Sequence, residues 1–495
     1  MKDSVLSAAK DLDRLTRFFW GAALFTLPVT SFRYFPFLGD TTYVRPLAFY
    51  PIAFLIPLLL IQILRGRSSL PGASALTPLT VWVLFILTAT SFGALLDPLP
   101  LRGQEYAGRA IRAWATLIIG LSFFISAVWM NRNEDDLRFT VRWLMAGLVM
   151  DVLWSGVQLL AFYTPLLEKV TVTHWQRAFS MRELVRTNRV SGMAYEPAWL
   201  AGQLVTVYLP WLFASLLTRV RMTRFKWLEI TLFGPTVLLL LATFSRGGLL
   251  IAVVASALTI FIAGRAELRF LSSWFISGLQ RGGNWILRVG IIVLVMGALT
   301  GAGLFLGQKG YITRLFDTQA DSLEDFIIKN SAGARAAYTF GALGAFEQSP
   351  MIGVGLGASG LYIYDNLPDW AMTTVPEIAR QLSPENRLYP TPKNMYARLL
   401  AETGLFGFVL YFAFLFSVLG DSLMGLQGRK LFMRYLGIAG LFSLIAIALY
   451  NNTQDSFATP NIWLIPGVVT GMMSHTNFIA QTAVPGDAAG SEPGE

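Results

Sequence analysis

Long apolar runs alternate with short polar turns along nearly the whole 495-residue chain. A helix needs about 20 mainly apolar residues to cross the hydrocarbon core of a bilayer, where it satisfies its own backbone hydrogen bonds. The pattern predicts about twelve membrane-spanning helices, at residues 18–30, 46–64, 77–96, 111–130, 139–162, 200–217, 228–244, 247–263, 285–306, 395–419, 435–450 and 461–473. The predicted fold class is therefore all-α, a polytopic membrane protein with a long external loop that contains amphipathic helices.

The predicted spans divide the chain into five regions. These are a cytoplasmic N-terminus at 1–17, nine spans within 18–306 with an external loop at 164–199, a large external loop at 307–394, three spans within 395–473, and a disordered cytoplasmic tail at 474–495. A connection as long as 307–394 is usually functional. Because the first span lacks a small-residue cleavage site and more spans follow, we interpret it as a retained helix rather than a removed signal peptide.

Composition agrees with a membrane protein. Hydrophobic residues make up 54% of the chain and charged residues 14%, which is too little charge for an ordinary soluble domain. The absence of cysteine excludes disulfides, a thiolate nucleophile and zinc–thiolate sites. The formal charge of +9 is spread over short loops instead of one aromatic-rich stripe, so it favours membrane topology over nucleic-acid binding.

The basic residues also predict an orientation. If the N-terminus is cytoplasmic, every predicted inner loop carries Lys or Arg, whereas the predicted outer loop 451–459 carries neither, as the positive-inside rule expects. Three predicted outer segments nevertheless keep arginines, namely 164–199, 245–248 and 307–394. Because all three face the same side in this topology, their cations are candidates for function.

Two candidate motifs lie before predicted spans. Residues 189–197 read Arg-Val-Ser-Gly-Met-Ala-Tyr-Glu-Pro, and residues 243–248 read Thr-Phe-Ser-Arg-Gly-Gly. Glu196 also suits an ordinary helix start, because the helix dipole favours a carboxylate there and proline fits the first turn. A lone arginine at a helix end is often a snorkelling side chain, but Arg246 lies where the topology requires no cation.

The third motif lies in the long loop. Residues 331–348 carry small and aromatic residues at helical spacing, which predicts an amphipathic interfacial helix that ends at Pro350. The glycines of 350–357 follow no strand, which excludes a dinucleotide-binding fingerprint and favours a tight turn. Arg335 is a candidate anion ligand, and it can equally be the solvated face of this helix.

The fourth motif, Pro-Lys-Asn-Met-Tyr at 392–396, leads from the long loop into a span. Asn394 suits an N-cap, which would put Lys393 beside the positive end of a helix, a natural anion site. The alternative is a basic residue that merely flanks a membrane helix. With the three arginines, Lys393 completes a predicted cluster of four cations with few carboxylates, a receptor for a polyanion such as a lipid pyrophosphate.

The succession of these motifs resembles the O-antigen ligase/polymerase family, which includes Wzy-type polysaccharide polymerases and WaaL-type ligases. The resemblance extends from Arg189 to Gly407 and rests on Arg-x-Ser-Gly-x-x-x-Glu-Pro, Ser-Arg-Gly-Gly, Arg335 with Pro-x-x-Gly-x-Gly, and Asn-x-Tyr followed by Glu-Thr-Gly-Leu-x-Gly. It implies a GT-C-like glycosyltransferase that needs neither metal nor cofactor. It also implies action at the outer face of the bacterial cytoplasmic (inner) membrane, on glycans carried by undecaprenyl pyrophosphate.

The resemblance also assigns the donor site and the partners. Arg189 and Arg246 match the paired arginines that bind the pyrophosphate, and Asn394 and Tyr396 are assigned to the same site. The expected partners are a lipid-linked glycan donor, a glycan acceptor and membrane lipid, with a chain-length regulator as a further candidate. Nucleic acid is not expected.

The predicted catalytic residues are Lys393, Glu196 and Arg335. By the same resemblance, position 393 is where ligases and many relatives carry a histidine proposed to activate the acceptor. The lysine found here favours a polymerase over a ligase. A lysine acts as a base only when burial and neighbouring cations favour its neutral form. If it stays a cation that assists the leaving group or the acceptor, Glu196 and His174 are the candidate bases.

Two other classes of function stay open. A lipid-linked glycan flippase is favoured by Asp151 and Gln158, which share one face of a predicted span, although buried structural hydrogen bonding explains them equally well. A non-catalytic scaffold of an export complex is the other alternative. It predicts no loss of product when the outer arginines are removed.

Overall fold

The chain folds as a helical bundle in a computed structural model. The structure describes residues 2–34, 42–66, 72–182, 184, 188–265, 269, 273, 289–290, 293, 297, 332–383, 385–386 and 388–482. Apart from isolated bridging pairs, these residues form no β-strand. The predicted all-α class is therefore confirmed for the described part of the chain.

The helices of the first half carry most of the bundle. They are α1 (Lys2–Thr26), α2 (Phe49–Leu64), α3 (Leu76–Leu95), α4 (Tyr106–Met130), α5 (Glu134–Tyr163), α6 (Lys169–Arg177), α7 (Pro197–Gln203), α8 (Leu209–Thr218), α9 (Leu228–Ala242) and α10 (Arg246–Ala263). A π-helical turn, Leu204–Tyr208, joins α7 to α8. Such turns often occur at functional sites.

The second half contains four shorter helices followed by three long ones. They are α11 (Gly333–Gln348), α12 (Ser359–Ile363), α13 (Trp370–Thr374), α14 (Pro376–Gln381), α15 (Met395–Gln427), α16 (Leu431–Tyr450) and α17 (Leu464–Thr482). Asn394 caps α15, because its side-chain oxygen accepts hydrogen bonds from the amides of Tyr396 and Ala397. The predicted N-cap is confirmed.

Seven helices are long and apolar enough to cross a membrane among the described residues: Leu76–Leu95, Tyr106–Met130, Glu134–Tyr163, Pro197–Thr218, Arg246–Ala263, Met395–Gln427 and Leu431–Tyr450. The apolar helices Phe49–Leu64 and Leu228–Ala242 are shorter. The predicted span 285–306 lies outside the described residues, apart from isolated positions. The structure therefore confirms a multi-span arrangement without confirming a count of twelve.

The C-terminal helix differs from the prediction. The predicted tail begins at residue 474, but α17 continues to Thr482, so the boundary is wrong. Residues 474–482 contain neither glycine nor proline, and the first helix breakers are Pro485 and Gly486. Residues 483–495 lie outside the described part of the chain.

The long helix α15 is broken near its start. Gly404 has φ 59° and ψ −168° inside the helix. The glycine-rich loop 350–357 fills the break, because the amides of Val354 and Gly355 donate to the carbonyl oxygens of Ala401 and Glu402 at 2.9 and 3.1 Å. A Cβ on Gly353 would lie 2.4 Å from the carbonyl carbon of Glu402. The glycines therefore permit close backbone contact with α15.

Residues 332–394 form a small helical layer at one end of the bundle. The helix predicted at 331–348 is present as α11, which ends at Gln348 before Pro350. Its buried face includes Tyr338 and Ala342, which share a second hydrophobic core with Ala397 and Ala401 of α15. This layer is thus attached to the bundle through the N-terminal turns of α15.

Candidate functional site

A cavity of about 480 Å³ lies at the end of the bundle beneath this helical layer. Its walls come from the segment after α1, the start of α7, helix α11, the start of α15 and the end of α16. In that order, these elements contribute Thr30, Glu196, Arg335, Lys393 and Tyr450. All three predicted catalytic residues therefore line one space, although they are far apart in sequence. These helix ends must lie on the same side of the bundle.

The loop before Glu196 is held by two buried side chains of α5. Gln158 Oε1 accepts the amides of Ser191 and Gly192, both at 3.0 Å, and its Nε2 donates to the Gly192 carbonyl at 2.7 Å. Asp151 Oδ1 accepts the Met193 amide at 2.8 Å. Among the described residues, the hydrogen bonds therefore favour the structural interpretation of Asp151 and Gln158 over a transport pathway.

Glu196 continues this loop into α7. It is the N-cap residue, Pro197 occupies the first turn, and the Glu196 side chain makes no capping hydrogen bond. Its backbone carbonyl accepts the amides of Trp199 and Leu200. The start of the helix is thus made by the backbone and proline, which leaves the carboxylate in the wall of the cavity.

The two predicted pyrophosphate arginines meet at the turn between α9 and α10. Arg189 Nε donates to the Thr243 carbonyl at 2.9 Å and its Nη2 donates to the Phe244 carbonyl at 3.2 Å. Ser245 caps α10 by accepting the Gly248 amide, so Arg246 occupies the first turn of an 18-residue helix. Neither arginine lines the cavity.

The turn is nonetheless near the cavity. Gly248 of α10 packs against Ala201 of α7, and the next residue of α7, Gly202, packs against Tyr450 in the cavity wall. The first turns of α10 therefore pack on the helix that forms part of the cavity wall.

Lys393 has an unusual backbone conformation, with φ 57°. Its amide donates to Asp455 Oδ2 at 2.9 Å, and its ammonium lies 6.0 Å from the centroid of the Tyr338 ring. A left-handed conformation is uncommon for a residue other than glycine and persists where surrounding contacts enforce it, often at functional sites. Asp455 thus positions the residue that the sequence predicts as catalytic.

Asn394 and Tyr396 lie beside Lys393 but outside the cavity lining. Asn394 uses its side-chain oxygen to cap α15. The Tyr396 hydroxyl donates to the Ala448 carbonyl at 2.6 Å, and its ring stacks on Phe412 with centroids 5.6 Å apart. These contacts favour a structural role for both residues at the junction of α15 and α16, in place of the predicted pyrophosphate contact.

A network of charged side chains supports the cavity from behind. Arg398 Nε donates to Glu402 Oε2 at 2.9 Å, and its Nη1 donates to the Asp455 carbonyl at 2.5 Å. Ser359 Oγ donates to Glu402 Oε1 at 2.8 Å. Since side chains of Glu402 and Arg398 are only 3% and 12% exposed, the pair is shielded from water.

Residues 231–412 match the family described as O-antigen ligase. This match supports the resemblance of the chain to the O-antigen ligase/polymerase family. The matched segment contains Arg246, Arg335, Lys393 and Glu402, whereas Arg189, Glu196 and Asp455 lie outside it. No curated protein matches the sequence.

One expectation about the charge of the site is wrong. The sequence predicted four cations with few carboxylates, but the cavity is lined by three carboxylates, Glu196, Glu377 and Asp455, and by the cations Arg335 and Lys393. Glu377 and Asp455 lie outside all four motifs, so the motif spacing gave no reason to place them there. The cavity is therefore mixed in charge, and Arg189 and Arg246 form a separate cationic turn.

An aromatic wall was also missed by the sequence interpretation. Tyr43 stacks on Tyr195 with centroids 4.9 Å apart, and Tyr195 contacts Trp199 at 5.3 Å. All three residues line the cavity. Clustered aromatic side chains in two predicted outer segments were the available signal, but only the fold places Tyr43 against the segment after Arg189.

Tyr338 closes the cavity from α11. Burial raises the pKa of Tyr338 far above its ordinary value, with a further upward contribution from Glu377, so the phenol stays neutral. Its hydroxyl donates to Gln381 Oε1 at 2.8 Å. Tyr338 is therefore a positioned hydrogen-bonding wall and not a proton acceptor. His174 lies exposed on α6, outside the cavity lining.

Proposed function

We propose that this protein is an inverting glycosyltransferase that polymerises undecaprenyl-pyrophosphate-linked oligosaccharide repeat units on the outer face of the bacterial cytoplasmic membrane, without a metal. The observation that carries the proposal is the cavity that unites Glu196, Arg335 and Lys393 beside the cationic turn at Arg246. The match of residues 231–412 to the family described as O-antigen ligase supports the same class of chemistry.

The donor pyrophosphate is proposed to bind at the first turn of α10. The positive end of a helix attracts anions, and Arg246 adds a guanidinium at that end while Arg189 is held two residues away, at the Phe244 carbonyl. A Cβ added to Gly247 would meet no atom within 4 Å, so the turn is open to an approaching ligand. Fixed donors here stabilise the charge that builds on the leaving group.

The acceptor is proposed to bind in the cavity, against the aromatic wall of Tyr43, Tyr195 and Trp199. One of its hydroxyls attacks the anomeric carbon of the donor, and the bond from that carbon to the pyrophosphate oxygen breaks. Glu196 takes the hydroxyl proton, since its carboxylate lines the cavity without a capping role. Lys393 and Arg335 act as cations that orient the acceptor and stabilise the departing lipid pyrophosphate.

Arginine substitutions test the proposal. Purified protein in nanodiscs receives lipid-linked repeat units, and product length is measured on gels. Arg246→Ala and Arg335→Ala should lower the rate about 100-fold or more, as removal of transition-state hydrogen bonds does. Arg380→Ala is the matched control, because Arg380 is an exposed arginine of α14 outside the cavity lining. Wild-type chain growth by Arg246→Ala protein would overturn the proposal.

A ligase is the second candidate function, because the matching family is described as O-antigen ligase. A ligase transfers the glycan from the lipid pyrophosphate to lipid A core or another acceptor. Lipid-linked repeats alone should yield a ladder of longer lipid-linked products for a polymerase. Product only after lipid A core is added would favour the ligase. The structural hydrogen bonds of Asp151 and Gln158 give the flippase alternative little support.

A further inference from the structure

A second cavity of about 250 Å³ lies against the first. Tyr43, Trp199, Lys393 and Asp455 line both spaces, so the two cavities share a wall at the predicted catalytic lysine. The second cavity extends from this wall towards the first turns of α4, where Arg109 and Arg112 line it. The mechanism proposed above assigns nothing to this space.

The second cavity is richer in positive charge than the first. Its lining carries Arg109, Arg112, Lys393 and Arg398 against the carboxylates of Glu402 and Asp455. Arg398 pairs with Glu402 and also donates to the Asp455 carbonyl. This pairing neutralises Arg398 and leaves the excess positive charge at the α4 side of the cavity.

Arg109 is held in place there. Its guanidinium carbon lies 3.6 Å from the centroid of the Tyr389 ring, and the Tyr389 hydroxyl donates to the Gly357 carbonyl at 2.9 Å. Among the described residues, Arg109 Nε is buried and has no hydrogen-bond acceptor. A buried donor without an acceptor is uncommon and requires an explanation.

Arg112 lies one helical turn from Arg109. Its Nη1 donates to the amide oxygen of Gln104 at 3.0 Å, a neutral acceptor. The charges that act on Arg109 include the cations Arg112 and Arg398, opposed by Glu402. Two neighbouring guanidinium groups beside a cavity therefore present donors to a ligand anion.

We propose that this second cavity binds the carboxylate of an acidic sugar, such as a hexuronic acid, within the lipid-linked repeat unit. Arginine is suited to bidentate recognition of a planar carboxylate, and Tyr43, Trp199 and Tyr389 supply aromatic surface for the sugar ring. Because the second cavity adjoins Lys393, the acidic sugar occupies a position next to the sugar that reacts. This inference rests on the proposed function, which supplies the lipid-linked glycan as the substrate, and it adds that this glycan contains an acidic sugar.

The test compares two lipid-linked oligosaccharides that differ only in one residue, a hexuronic acid or the neutral hexose. The measured quantity is the ratio of kcat/KM for the acidic substrate to that for the neutral one. Arg109→Met and Arg112→Gln should each lower this ratio about 10- to 100-fold, as loss of a charge-assisted hydrogen bond does. Arg109→Lys should lower it less, because the positive charge remains. Arg112→Gln keeps the test valid if Arg109→Met does not fold.

Binding is measured separately from turnover. Quenching of tryptophan fluorescence, to which Trp199 in the shared wall contributes, reports binding of free glucuronate, glucose or inorganic pyrophosphate to the full-length protein. We expect saturable glucuronate binding that weakens in Arg109→Met. If glucuronate binds in this way but no lipid-linked substrate is extended, the proposed function fails and the acidic subsite stands. An unchanged substrate ratio in both variants, or Arg109-dependent binding of pyrophosphate alone, would overturn the acidic subsite.

Discussion

The buried pair of Arg398 and Glu402 offers a sharp test of how the site is held. Glu402→Gln keeps the shape of the side chain but removes its charge. The carboxylate accepts from Arg398 at 2.9 Å and from Ser359 at 2.8 Å. An amide has one acceptor oxygen, so it can serve only one of these donors and presents its own N–H groups to the other. Breaking a buried ion pair leaves an uncompensated charge, which costs about 3–5 kcal/mol.

The assay is reversible unfolding by denaturant in detergent micelles, followed by tryptophan fluorescence. Ser359→Ala is the matched control, because it removes only the neutral hydrogen bond and should cost about 1 kcal/mol. Glu402→Gln should also lower transferase activity, since Arg398 holds the Asp455 carbonyl and Asp455 holds the Lys393 amide. The reasoning is refuted if Glu402→Gln loses no more stability than Ser359→Ala.

Three further substitutions test other parts of the fold. Lys393→Gly should stabilise the protein by about 1 kcal/mol, because glycine adopts φ 57° without steric cost. Its transferase activity should nevertheless fall, and an active Lys393→Gly protein would contradict the role of the ammonium. Gln158→Leu should destabilise by about 3 kcal/mol in the same unfolding assay, because it removes three hydrogen bonds to the loop at Ser191 and Gly192; a wild-type unfolding midpoint would contradict this anchoring role. Gly353 has φ 84°, and Gly353→Ala places a Cβ 2.4 Å from the carbonyl carbon of Glu402. The yield of folded protein on size-exclusion chromatography should therefore collapse. Gly247→Ala is the control and should fold normally, because no atom lies within 4 Å of the added Cβ.

Apolar periodicity located the bundle well. The predicted spans at 77–96, 228–244 and 247–263 agree closely with α3, α9 and α10. Capping chemistry was equally local, and Asn394 was correctly assigned as an N-cap because its hydrogen bonds reach only two and three residues along the chain. Such features depend on neighbours in sequence. They can therefore be inferred without the fold.

The site depended on contacts between distant segments. The carboxylate of Asp455 accepts a hydrogen bond from the Lys393 amide, 62 positions away along the chain. Asp455 lies in a predicted outer loop without basic residues. No spacing rule connects these two residues. The same holds for Tyr43, which stacks on Tyr195 although a large part of the chain separates the two residues in sequence. The sequence motifs identified the region of the chemistry, and the tertiary structure supplied its carboxylates and aromatic wall.

The motifs lie where helices are interrupted. Gly404 breaks α15, and Phe244, with φ 47°, turns the chain from α9 into α10. Irregular backbone at membrane depth is tolerated only where protein or a cavity satisfies its polar groups. The glycine loop serves the α15 break, and Arg189 binds the carbonyls of the α9 turn. Arg189 therefore stabilises the turn that carries Arg246, so its loss should reduce folded protein as well as donor binding.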